Sequence, residues 1–439
     1  MAAVETEATM RDAAMRIDKV TVDGFWGKFK AEVVLRPDVN IFIGKNGTGK
    51  TTLMNLLQAI LRVDTRILSL MQFDKVTVVL KSKANRRTVT VTRDAQDPSW
   101  EKLIFHVGQR VFSVAGYQRH VDMLSGDRLH PGHADAYSEL RDTMSHLVNV
   151  ASLSVHRETS EPLVDEELRR RGQLFKAPID QRLENLLQRL TSYQLTLTEQ
   201  AVAISAEFQK EVLHSLLYSP RLDKIDLTRG LRVKLDRQSE DLKNAYEELG
   251  VLDERTLKKI NVHMKALNCS VATLRRWQEG EPLTPELLNE LLPLPLLRRT
   301  QNIGRLSLEV DRKKQEVFKP IKQLTDIAQE FMTDKQVEIS PSGELVIKKD
   351  SAVIPINQLS SGEKQLLILL IETLLQKGQT FVFLADEPEL SLHIEWQAKV
   401  IASVKALNPN SQVVAATHSP EIAGGWADSL IEMEEIIHA

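Results

Sequence analysis

A single cysteine, Cys269, stands among 439 residues. One thiol builds neither a disulfide framework nor a cysteine-rich zinc module, and with no export signal it points to a reducing cytoplasm. Long apolar runs are also missing. The stretch 366–375, LLILLIETLL, contains a charge and falls far short of the roughly 20 residues a membrane span needs. No charge sign dominates: 57 Lys+Arg face 60 Asp+Glu, a net of −3. That balance argues against a blanket electrostatic grip on nucleic acid and leaves open only a local basic stripe. The first fifteen residues, MAAVETEATMRDAAM, have no apolar h-region and read as a loose leader. The remainder is ordinary globular material, 42% hydrophobic and 27% charged. Its length suits two domains, or one large α/β domain carrying an insertion.

The pattern along the chain favours the second arrangement. From Arg16, alternating apolar residues and the run 40–43 read as three strands leading into a glycine-rich loop and a helix. Segments 75–81 with 87–93, and 103–116, read as two β-hairpins, followed by a helix over 135–147 and a strand over 148–156. Between 161 and 335 the texture becomes helical. Leu183, Leu187, Leu190, Gln194, Leu197, Ala201, Ile204 and Phe208 follow alternating steps of 4 and 3, a heptad seam with one polar member. A second run spans 237–268 with a break near Gly250. A third spans 305–333, with Val310, Val317, Ile321, Leu324 and Phe331 on one stripe. Two shapes suit this segment, a short antiparallel arm or a helical cover on a sheet face. Its 29 basic and 28 acidic residues favour a solvated surface over phosphate contacts at Arg169–Arg171, Lys258–Lys259, Arg275–Arg276 or Arg312–Lys314. Strand signals return at 336–348, turning at Pro341-Ser342-Gly343. The expected layout is a leader 1–15, a lobe 16–160, an insertion 161–335 and a second lobe 336–439.

Chemistry concentrates in four short segments. Residues 44–52, GKNGTGKTT, satisfy G-x-x-x-x-G-K-[ST] between an apolar strand and a helix. Gly44, Gly47 and Gly49 let backbone N–H groups curl round phosphate oxygens, and the helix N-terminus adds partial positive charge. Asn46, Thr48 and Thr52 complete that loop. Lys50 is placed to reach the β- and γ-phosphates, and Thr51 to offer its hydroxyl to Mg²⁺. Residues 381–387, FVFLADE, read as a buried strand ending in Asp386, a ligand for the Mg²⁺ shell, and Glu387, a base for the attacking water. LSSGEKQ at 359–365 puts Ser360, Ser361, Gly362 and Glu363 at the start of a long apolar helix, a second anion cradle. The phosphates are already wrapped by the first loop, so this cradle suits a nucleotide held by another copy. VAATHS at 414–419 delivers His418 from a buried strand.

In chain order GKNGTGKT, LSSGEKQ, FLADE and THS resemble the ATP-binding-cassette ATPases, in the soluble branch that holds RecF, the chromosome-maintenance ATPases and the overcoming-lysogenisation-defect nucleases. The resemblance implies an α/β P-loop head with a helical or short coiled-coil insertion. It implies an ATP-dependent homodimer, or a higher assembly of dimers, around Mg²⁺ and ATP. By that pattern Ser360 and Gly362 contact the γ-phosphate on the opposite head, His418 senses it, and Glu387 is the general base. The turn DEPELSLHIEWQ at 386–397 resembles the ATPase subunits of the PARIS and Septu anti-phage systems. Relatives with a C-terminal Toprim nuclease have no counterpart after His418 here, so a nuclease would be a separate effector protein. Two readings of function follow: sensor or scaffold of a defence complex, or a repair ATPase clamping DNA directly. A transporter subunit ranks last.

Other candidates are weaker. Gln72 and Gln118 both suit a Q-loop. His130 and His133, with Asp135, His106 and His120, read either as a metal site or as exposed histidines beside a turn at Pro131-Gly132. Phe25 and Trp26 suit either adenine stacking or edge packing. Arg157 closes a strand toward the nucleotide or an interface. Cys269 reads as a small core residue.

Overall fold

The computed structural model describes residues 14–93, 102–115, 131–153, 177–219, 235–282, 284–340, 342–390 and 392–438. The chain divides into two compact units, Met1–Thr191 with Gln323–Ala439, and Ser192–Lys322.

The first unit is α/β and is built on two principal sheets. One is parallel, with strands in the order Leu430–Glu432, Val39–Ile43, Ser411–Ala416, Phe381–Asp386 and Val150–Leu153. Its three middle strands are buried at nearly every position. That is why they read in sequence as unbroken apolar runs instead of alternating ones. The other sheet is antiparallel, with seven strands in the order 437–438, 29–34, 16–25, 75–81, 86–93, 102–107 and 110–115. Here the alternation is clean: Val76, Val78 and Leu80 point inward while Lys75 and Lys81 face solvent. The helix Lys50–Arg62 sends Leu53, Leu56, Leu57 and Ile60 into a core shared with both sheets. Each such leucine contributes about 2 kcal/mol of burial. A polar staple joins the sheets. Gln412, fully buried, donates to the carbonyls of Ile17 and Arg36 at 2.7 and 2.8 Å and accepts from the Ile17 N–H at 2.8 Å.

The long helix Pro178–His214 starts within this unit and is anchored there. Arg182 pairs with Glu372 at 2.7 Å, and Asp180 with Lys364 at 2.8 Å. Both acceptor and donor partners lie on the apolar helix Ser361–Leu374. A second long helix, Leu294–Phe331, returns to the same unit, where Phe331 meets Trp396 edge-on at 5.7 Å. It begins earlier than the expected 305, and Pro320 lies within it. A small antiparallel sheet, 336–339, 345–349 and 352–353, turns at Ser342-Gly343.

The second unit is helical. Helices Leu235–Glu248 and Glu254–Gln278 are separated by Gly250 at φ 70°, where the sequence pattern breaks. Ile260, Met264, Leu267, Val271 and Leu274 face a core with Leu242, Leu294 and Leu297. Cys269 corrects an expectation: it is exposed. At 100° per residue it falls two positions past Leu267, on the solvent side of that helix. The heptad seam is shifted locally, with Leu186 buried and Leu187 only half-buried, while Gln194 is 9% exposed. Pro131 and Gly132 form no turn; they open the helix Pro131–Leu147, where a first-turn proline is tolerated.

Candidate active site

Three strands of the parallel sheet end at the same edge. Phe42 pairs with Ala416, and Ala416 with Asp386, so the phosphate loop, the acidic pair and the 417–419 turn emerge side by side. In open parallel sheets this C-terminal edge is where ligands bind.

The loop is shaped by its glycines. Gly49 sits at φ 95° as the N-cap of the helix Lys50–Arg62, and no side chain caps that helix. Its first N–H groups therefore have no side-chain acceptor at the cap, as at an anion-binding helix start. A Cβ on Gly49 would lie 2.8 Å from Phe25, besides adopting a left-handed backbone. Lys50, 5% exposed, curls back to donate to the carbonyls of Gly44 and Lys45 at 2.7 and 3.0 Å. Burial lowers its pKa from the ordinary 10.5, against the pull of Glu434, Glu387, Asp386 and Glu389. Thr51 Oγ1 donates to Asp386 Oδ1 at 3.3 Å. A hydroxyl and a carboxylate at this spacing form a hard-oxygen pair suited to Mg²⁺. Glu387 follows in the left-handed region at φ 48°, its N–H donating to the Ala416 carbonyl at 2.8 Å. A glutamate held there costs about 1–3 kcal/mol, a cost typical of functional turns.

These groups line one cavity of about 690 Å³, with Trp26, Asn46, Gly47, Gly49, Lys50, Thr51, Thr52, Glu387, Glu389 and His418 in its wall. Gly44 and Asp386 adjoin it through the contacts above, and the Thr48 hydroxyl donates to the Lys45 carbonyl at 2.9 Å. The aromatic pair separates: Phe25 is core at 1% exposure, while Trp26, 37% exposed and stacked on Phe25 at 4.9 Å, faces the cavity. Gln72 is exposed and outside the wall. Gln118, His120, His130 and Arg157 lie outside the described residues, and no cluster of metal-ligating side chains occurs among the described ones.

Ser360, Ser361, Gly362 and Glu363 are absent from this wall. They form a closed capping box. The Ser360 hydroxyl accepts from the Glu363 N–H at 3.3 Å, and Glu363 Oε2 accepts from the Ser360 N–H at 2.8 Å. Lys335 pairs with the other oxygen of Glu363 at 2.6 Å. Burial pushes the Glu363 carboxyl up, but Lys335 and Ser360 outweigh it and leave the pKa lowered.

Two further residues were not singled out from sequence. Glu434, on the short helix Met433–Ile436, accepts from the Lys45 N–H at 3.2 Å. That contact, more than any other influence, lowers its own pKa. Glu389 reaches the 417–419 turn. Neither contact has a local sequence signal, although the spare acid two places after Asp386-Glu387 was visible.

Two family models match the chain. One, described as "AAA ATPase domain", covers residues 15–94. The other, "AAA domain, putative AbiEii toxin, Type IV TA system", covers 273–424. The Retron Ec83 probable ATPase of Escherichia coli is 32% identical over 90 residues, 18% of this chain and 17% of that protein. The Septu protein PtuA of Bacillus thuringiensis is 46% identical over 41 residues, 9% and 10% of the two chains. The Retron Vc95 probable ATPase of Vibrio cholerae serotype O1 biovar El Tor is 25% identical over 228 residues, 46% and 41%. The chain thus spans less than half the length of the curated relatives it matches. The Smc head domain of Pyrococcus furiosus gives a TM-score of 0.42 at 14% identity, covering 94% and 92%. Residues 15–94 and 273–424 thus match ATPase-domain models, and between them they carry the phosphate loop, the acidic strand end and the His418 turn of a P-loop nucleotide site.

Proposed function

We propose that the chain hydrolyses ATP to ADP and phosphate at an interface between two copies of itself, and that this cycle controls a separate effector in an anti-phage complex. One observation carries the catalytic half: the phosphate loop, Glu387 and His418 converge on one cavity, with Asp386 bonded to Thr51 in its wall, while the Ser360–Glu363 segment stands outside it. A cradle without phosphates of its own serves those of a second copy. The similarity to retron and Septu ATPases supports the defence half.

Within the site, the amides of 47–51 and the Lys50 ammonium hold the phosphates. Thr51 and Asp386 would hold Mg²⁺, which neutralises charge on the β- and γ-phosphates. Glu387 takes a proton from the attacking water as its oxygen bonds to the γ-phosphorus, and the bond to the β-phosphate oxygen breaks. His418 meets the γ-phosphate from the far side. The effector, a Toprim-type nuclease or a toxin, is held or released as the heads engage. Among the described residues no helix is long and apolar enough to cross a membrane.

A second reading, direct DNA clamping, draws on the hairpin turn that exposes Lys81, Lys83, Arg86 and Arg87. Affinity purification of Glu387→Gln from its native host in Mg-ATP separates the two. A stoichiometric protein supports effector control. Nucleic acid alone, with affinity falling steeply with salt, supports the clamp.

A further inference from the structure

The motif after the acidic pair contains two residues with no part in the chemistry above, Glu389 and Gln397. Glu389 Oε1 accepts three hydrogen bonds from a turn 28 to 30 residues later. The donors are the Thr417 hydroxyl at 2.7 Å, the His418 N–H at 2.8 Å and the Ser419 N–H at 3.2 Å. The Ser419 hydroxyl donates in turn to Gln397 Oε1 at 2.7 Å. Gln397 closes the circuit, its Nε2 donating to the carbonyls of Glu389 and Leu392 at 3.4 and 3.1 Å. Thus the turn carrying His418 is gripped by the turn carrying Glu387, through a carboxylate and not through sheet pairing.

The physical need is clear. Beyond Ala416 the parallel ladder stops: the Thr417 N–H still donates to the Phe42 carbonyl at 3.1 Å, but the N–H groups of His418 and Ser419 have no ladder partner. Thr417 and Ser419 are buried while His418 between them is exposed. An anionic acceptor for two N–H groups and a hydroxyl makes charge-assisted bonds, stronger than a neutral acceptor's. It fixes the backbone from which the imidazole projects. The second oxygen of Glu389 is buried with no hydrogen-bond partner, and the residue lines the cavity.

We propose that Glu389, seated by Gln397, is the positioning residue for His418. It acts through the 417–419 turn and does not take the water's proton. This rests on the reading of His418 as the group that meets the γ-phosphate.

The test is steady-state ATP turnover of full-chain variants, with affinity read by titrating a fluorescent ATP analogue. Glu389→Ala and His418→Ala are each expected to lower kcat about 10- to 100-fold with affinity little changed. The double variant Glu389→Ala/His418→Ala should be no slower than the slower single. Glu389→Gln, which keeps the acceptor oxygen, should recover most of the lost rate. Multiplying effects in the double variant, or a Glu389→Gln as slow as Glu389→Ala, would overturn the proposal and make Glu389 a direct participant. Should Glu389→Ala not fold, Gln397→Leu serves: a several-fold loss of kcat, absent on the His418→Ala background, supports the proposal, and an unchanged rate removes it. A slow His418→Ala with a fast Glu389→Ala removes this inference alone. Wild-type turnover in His418→Ala removes the role of His418 and this inference with it.

Discussion

Two helix N-termini in the same unit face opposite fates. The helix Lys50–Arg62 starts at a left-handed glycine with no side-chain cap. The helix Ser361–Leu374 starts with Ser360 and Glu363 satisfying each other's backbone N–H groups, and Lys335 neutralising the carboxylate. Both ends carry the same partial positive charge. The first has no side-chain acceptor at its cap; the second has the N–H groups of Ser360 and Glu363 satisfied by its own side chains. The Ser360–Glu363 segment is thus held in shape by its own capping box and by Lys335. In the proposed dimer this segment meets the phosphates held by a second copy, whereas the phosphate loop is completed by its own ligand.

Changes at the open end should have the largest effects. Lys50→Ala should reduce turnover about a thousandfold or more, with nucleotide binding lost, in an ATPase assay paired with a binding titration. Glu387→Gln should keep binding and slow hydrolysis about 10²- to 10⁴-fold. Wild-type turnover at saturating Mg-ATP would remove the general-base assignment and leave the binding site standing. At the closed end, Lys335→Met should leave nucleotide affinity nearly unchanged but cost roughly 3 kcal/mol of stability, because it strands a buried carboxylate. Chemical denaturation measures that loss.

The same pair gives a pH test. The Glu363 pKa is lowered in the fold, so its contribution is present above the ordinary 4.5 and fades as pH falls through the lowered value. The Lys335 pKa is raised, first by its bond to Glu363, so that contribution fades as pH rises past the ordinary 10.5. Wild type minus Lys335→Met should therefore show a stability gap that is flat at neutral pH and narrows toward both extremes. Ser360→Ala should have the smallest effect on stability, about 1 kcal/mol for a lost N-cap. A loss much above that would mean the capping box does more than close the helix.

The same contrast explains what could be read from the sequence. Gly44–Thr52, Asp386-Glu387 and His418 were legible because each needs a fixed residue type at a fixed local spacing. The hairpins of 75–93 and 102–115 were legible from alternation, and the middle strands from unbroken apolar runs. Contacts that join distant segments carried no such mark. Glu389 reaching Thr417, Gln412 stapling Ile17 to Arg36, and Glu434 touching the phosphate loop all depend on which strands become neighbours. Cys269 was misplaced because a lone thiol has no periodicity of its own; the leucines around it, Leu267 and Leu274, decide which face is inward.

In the proposed dimer each nucleotide is enclosed by the open end of one copy and the closed end of another. Mixing two dead variants, Lys50→Ala and Ser360→Arg, tests it most directly. In a two-fold dimer, equal mixing should restore about a quarter of wild-type turnover, since each mixed dimer rebuilds one intact site. If both variants are inactive alone and the mixture stays inactive at every ratio, the two ends do not meet across copies and the account is wrong.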